Sequence, residues 1–197
     1  MLNRSSLAAI LLLSLSVYAV EVPSVVEAQS DGLGKAAAEN PYRLAKVGDW
    51  VEWKITTQSP SEKADLPPVR GESHIKELVR SVSIKLLSMQ VQILGQSDPV
   101  FMETQYSLER SYHPEWLGQE GKVELLKEPV SEPLVIAGRS LDCVKKELKM
   151  TGENGSSNLT IWYSPEIPLG GIARMELRLA NGVLTTREVK AFGREKK

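Results

Sequence analysis

The sequence predicts a mainly β, single-domain protein of about eight to ten short strands joined by tight turns. Three observations predict it. Apolar and polar residues alternate over many segments after Val47, as in strands with one buried face. Turn residues gather between those segments, including the hairpin-type dipeptides Asn154-Gly155 and Asn181-Gly182. The chain has 197 residues, 42% hydrophobic and 25% charged, so it can fill a core of its own.

The elements follow in order. One positive charge, Arg4, precedes an apolar run from Leu7 to Val20, the layout of a secretory signal peptide. That run is shorter than the roughly 20 residues a membrane-spanning helix needs. Small residues allow cleavage after Ala19 or after Ala28, and the polar stretch that follows favours Ala28. The rival reading is an uncleaved N-terminal anchor. The expected organisation is a signal peptide over 1–28, a flexible leader over 29–46 and one β-rich domain over 47–197, exported to the periplasm or beyond the cell.

Val51, Trp53 and Ile55 alternate with Trp50, Glu52 and Lys54, which predicts the first strand. The two tryptophans face opposite ways, so one must lie on a surface or under a covering segment. Residues 59–68, with three prolines, are a loop. Residues 69–95 are ambiguous. Ile75, Leu78, Val79, Val82, Leu86 and Met89 recur at helical spacing, yet Val82-Ile84-Leu86 and Leu87-Met89-Val91-Ile93 alternate. The preferred reading is two strands, Arg70–Arg80 and Val82–Leu94, with a bulge at Leu86-Leu87. A helix over Ile75–Met89 is the rival.

Phe101–Tyr112 is a weaker strand, and His113–Gly118 a loop or single helical turn. Val130–Ile136 and Leu141–Met150 form a hairpin around Gly138. Leu159, Ile161 and Tyr163 share one face of the next strand. Ser164–Gly171, with two prolines and two glycines, interrupts the ladder. Ile172–Leu179 and Val183–Phe192 then pair through Asn181-Gly182, with Met175, Leu177 and Leu179 on one face.

The formal net charge is −1 and no basic block stands out, which argues against nucleic acid as a partner. Two histidines and one cysteine exclude a four-cysteine iron–sulfur cluster and argue against a Cys/His zinc site. No phosphate-binding glycine loop, nucleophile elbow or paired-histidine motif occurs, and no cofactor is expected. Cys143, beside Lys145 and Lys146, reads as a small buried hydrophobe or as a nucleophile without an adjacent base. His74 and the His113/Glu115 pair read as surface groups. Export and the lack of catalytic signatures favour a non-enzymatic binding or scaffold protein. The rivals are a secreted hydrolase using Cys143 or the carboxylates Asp49 and Glu52, and an assembly component pairing through a sheet edge with an envelope protein.

Ala137-Gly138-Arg139-Ser140-Leu141-Asp142-Cys143-Val144-Lys145-Lys146 precedes Ile161-Trp162-Tyr163-Ser164-Pro165-Glu166 and a glycine-led strand ending at Met175-Glu176. This pattern resembles uncharacterised bacterial exported proteins of LolA-like architecture. The resemblance implies a curved antiparallel sheet, a half-barrel, with one or few short helices. In carrier members of that superfamily the concave face holds acyl chains. By that resemblance Trp53, Val91, Ile93, Met175 and Leu177 would line a hollow for an apolar small molecule or lipid. The alternative is that these five side chains fill the core.

Overall fold

The computed structural model describes residues 40–61, 67–98, 100–108, 121–152 and 155–195. Residues 1–39, where a signal peptide and most of a leader are expected, together with His113, Glu115 and Trp116, lie outside the described residues. A 3-10 turn, Pro41–Leu44, precedes β1 (Asp49–Ser59), β2 (Val69–Val82), β3 (Leu86–Leu94) and β4 (Val100–Ser107). There follow β5 (Gly121–Leu125), β6 (Val130–Ser131), β7 (Leu134–Ile136), β8 (Arg139–Leu141), β9 (Val144–Gly152), β10 (Gly155–Tyr163), β11 (Ile172–Arg178) and β12 (Leu184–Arg194).

Ten strands form one curved antiparallel sheet in the order β4-β3-β2-β1-β12-β11-β10-β9-β5, with β6 also on β9. The sheet does not close into a barrel. The strands β1 to β4 and β9 to β12 are runs of hairpins, with β5 added on β9, and β1 and β12 join the halves at the middle, Asp49 opposite Arg194 and Gln58 opposite Leu184. The strands β7 and β8 make a separate hairpin. Its turn, Ala137-Gly138, holds both φ angles positive at 52° and 75°, as a type I′ turn requires.

The inner face of the sheet carries the core. Val51 and Trp53 of β1, Ile75 and Val79 of β2, and Leu87, Met89, Val91 and Ile93 of β3 are buried there. The other half contributes Met150, Leu159, Ile161, Ala173, Met175 and Val189. The outer face is a solvated ladder of ion pairs, such as Lys54–Glu72 at 2.7 Å and Lys145–Glu147 at 3.3 Å. This division follows from the two-residue period of a strand.

Residues 69–95 are two strands and not a helix. The phase change at Leu86-Leu87 comes from the turn that joins them. Ser83 N–H donates to the Leu86 carbonyl at 2.8 Å, and Ser83 Oγ accepts the Leu86 N–H at 2.9 Å. The bulge itself lies between Val79 and Ser81, in β2. The hairpin expected from Val130 to Met150 is divided: β7–β8 closes around Ala137-Gly138, and β9 starts afresh at Val144 within the main sheet. Trp53 is the inward tryptophan. Trp50 lies half-buried across Gly193 on β12, where an added Cβ would meet its Cζ2 at 3.1 Å. Residues 40–46 lie against the sheet, with Tyr42 and Ala45 buried and the Tyr42 ring stacked on Tyr106 at 5.4 Å.

A candidate ligand groove at one end of the sheet

The strand ends near Asp49, Tyr163 and Arg194 meet at one end of the sheet. The segment Ser164–Gly171 closes over that end as a compact loop. Ser164 N–H donates to the Gly171 carbonyl at 2.7 Å, and the Ser164 carbonyl accepts the Ile167 N–H at 3.2 Å. Three successive residues, Leu169, Gly170 and Gly171, hold positive φ at 60°, 93° and 72°. Glycine adopts this region without penalty, whereas leucine does not. Burial of Ile167 and Leu169, both at 3% exposure or less, offsets the strain by anchoring the loop in the core.

A groove of about 560 Å³ runs between this loop, the 44–46 segment and the ends of β1 and β12. Its apolar lining comes from Leu44, Tyr163, Ile167, Leu169 and Phe192. Four of its charged neighbours neutralise one another. Asp49 is buried, accepts Arg194 Nε at 2.6 Å and accepts the Lys46 N–H at 2.8 Å. Glu166 pairs with Arg139, from the β7–β8 hairpin, at 2.7 Å. The Arg139 guanidinium also lies 5.5 Å from the centre of the Phe192 ring. Burial pushes the Tyr163 phenol up to about 12, so it is a neutral hydrogen-bonding group at ordinary pH. The Ser164 hydroxyl is buried at the groove without a hydrogen-bond partner. With Lys46 as a further charge in its lining, the arrangement offers mainly apolar surface and neutral polar groups, the usual lining of a small-molecule site.

The five residues singled out from the sequence share the inner face. Trp53 and Ile93 flank Ile75 in register, while Val91 lies across Glu77 from Val51. Met175 and Leu177 are successive inward residues of β11, opposite Arg187 and Thr185. Trp53, Val91, Ile93 and Met175 are buried in the core, and Leu177 packs half-buried against it. Tyr163 and Phe192 belong to the same face, so the groove opens where that face ends.

Sequence reasoning passed over two inward charges. Glu77 stands between Ile75 and Val79 in β2, and Arg187 precedes Val189 by two in β12. Their alternation with buried residues was the available signal. Arg187 Nη2 donates to Glu77 Oε1 at 2.6 Å, and Trp53 Nε1 donates to Glu77 Oε2 at 2.8 Å. The Arg187 guanidinium lies 4.0 Å from the Trp53 ring centre. All three side chains are buried, and such charges are tolerated when paired and hydrogen-bonded like this.

Cys143 is 1% exposed, and burial pushes its thiol up, which suits a packing role. Asp49 and Glu52 point to opposite faces of β1 and do not converge. His74 is exposed on β2 and bonds Glu72 at 3.0 Å. No group of metal-binding side chains forms among the described residues.

No protein-family model matches the chain, and no curated protein sequence matches it. Solved structures do. The chain is similar to a LolA superfamily protein. That crystal structure, from Nitrosomonas europaea, is 9% identical over 84% of this chain and 94% of its own, with a TM-score of 0.29. A DUF1329 family protein from Desulfovibrio piger is 8% identical over 84% of this chain and 92% of its own, with a TM-score of 0.32. At these identities and scores the similarity carries nothing about ligand or activity.

Proposed function

We propose that this is an exported, non-enzymatic binding protein that holds an apolar small molecule or lipid in the groove beneath the 164–171 loop. The observation that supports it is the groove itself. Its volume of about 560 Å³ falls within the roughly 300–1,000 Å³ of small-molecule sites. Apolar side chains line it, and the charges of Asp49, Arg194, Glu166 and Arg139 are satisfied within the protein. A ligand extending inward would meet Met175 and Leu177, then Trp53, Val91 and Ile93, whose side chains would have to shift to admit it. Methionine adapts to such a demand at low cost. The signal-like residues 1–28 and the leader that follows fit delivery to a periplasmic or extracellular setting. Among the described residues no helix is long and apolar enough to cross a membrane.

The test is native mass spectrometry with lipid extraction on protein purified from its own host, alongside uptake of a neutral naphthylamine probe. A co-purified apolar mass, or saturable uptake weakened by Phe192→Ala, is the expected result. A bare protein that takes up no probe sinks the reading.

A further inference from the structure

Ile84 and Leu44 are the two most exposed large hydrophobic residues among those described, at 87% and 81%. They are 40 positions apart in sequence, yet Leu108 links their neighbours. Its N–H donates to the Lys85 carbonyl at 2.7 Å, and its carbonyl accepts Arg43 Nε at 3.0 Å. Ile84 sits in the tight turn between β2 and β3, where Gly, Asn, Asp or Ser is usual. The bonds of Ser83 to Leu86 fix that turn, so the isoleucine is held outward and has no route to the core. Val82 and Leu86, at 37% and 45%, widen the apolar surface on either side.

On the β1 side this hairpin outruns its neighbour, while β4 accompanies it to the turn, with Leu86 opposite Ser107. The Gly48 N–H reaches the Val79 carbonyl just before β1 begins, so Arg80–Val82 run on past β1. At about 3.3 Å per residue that is an overhang of roughly 10 Å. Arg80–Ser88 contains two cations and no carboxylate, and Arg43 adjoins Leu44. Leu44 also lines the groove, so the hairpin tip stands beside the groove's mouth.

A few exposed apolar side chains at a hairpin tip, Val82 and Leu86 on its opposite faces, with flanking cations, are a poor match to a protein interface, which needs about 800 Å² per partner. They match the headgroup and acyl boundary of a membrane, where apolar side chains insert and cations meet anionic lipid. We propose that this end of the molecule docks on an anionic lipid bilayer, with Ile84 and Leu44 inserted and the groove's mouth turned toward the lipid. The docking stands on the hairpin tip and Leu44, and not on what the groove holds.

The experiment is flotation of the full chain with vesicles of equimolar phosphatidylcholine and phosphatidylglycerol. Wild type floats. Ile84→Glu and Leu44→Glu each lower partitioning by about tenfold, the equivalent of one exposed apolar side chain kept from lipid. Val69→Glu, at the opposite end of β2 and 54% exposed, floats like wild type. Thermal melts by circular dichroism establish that each variant is folded. A wild type that stays with the aqueous fraction overturns the proposal. So does equal flotation of all variants, the outcome if the apolar N-terminal run is what binds. Uptake of the neutral probe, measured on the same samples, separates this proposal from the groove reading. Loss of uptake with flotation intact removes the groove and leaves the docking surface standing.

Discussion

Glu77 accepts from both Trp53 and Arg187 in the middle of an otherwise apolar face. Removing one partner of such a group leaves the other desolvated and unpaired. Glu77→Ala should therefore cost about 3–5 kcal/mol in urea unfolding, whereas the double change Glu77→Leu with Arg187→Met should return close to the parent. Equal losses in both would show that packing, and not the unpaired charge, sets the penalty. Tyr163 supplies a second residue-level test. Its folded pKa of about 12 exceeds the ordinary 10 because of burial. Below pH 10 both states hold the proton and the contribution of the neutral phenol is fully present. Between pH 10 and about 12 the unfolded chain loses the proton first, so that contribution is lost. Tyr163→Phe abolishes the effect, and the urea midpoint of wild type should fall relative to the variant across that window. Charged residues such as Glu77 were legible only as breaks in alternation, because polarity predicts exposure and the partner lies 110 positions away in the chain.

At the scale of elements, the Ser164–Gly171 loop owes its shape to the left-handed run at its end. A Cβ on Gly171 would come within 3.2 Å of the Ser164 carbonyl oxygen, at a φ of +72°. Gly171→Ala should cost about 1–2 kcal/mol and weaken uptake of a neutral probe more than its stability loss explains. Unchanged uptake would separate the loop from the site. The strands flanking this loop were readable in advance. Asn181-Gly182 marked its hairpin because positive φ is needed there, and Gly182 adopts 82°. The alternation of Leu159, Ile161 and Tyr163 gave the inward face. The short strands β5 and β6, and the division of β7–β8 from β9, were not readable. Strands of two to five residues are too brief for alternation to be distinctive. The inner face was legible from alternation, while the groove proposed as the site arises from loop closure across distant strand ends, which no local pattern encodes.

At the scale of the molecule, two sets of hairpins depend on one seam. The pairing of β1 with β12 spans most of the chain, and pairings this distant in sequence slow folding. A chain ending at Leu179 lacks β12 and leaves both β1 and β11 with an open edge at the centre of the sheet. It should show no cooperative unfolding transition by urea, whereas the whole protein should unfold in one. A cooperative transition in the shortened chain would mean that either half stands alone.

That seam also sets a clock. The sheet's central partner, β12, is synthesised after the other strands described, so the N-terminal hairpins wait, with Val51 and Trp53 uncovered on one flank, until it emerges. During this interval the sheet is unfinished and pliable, and any factor that must handle the chain as a thread has the time between the emergence of β1 and that of β12 in which to do so.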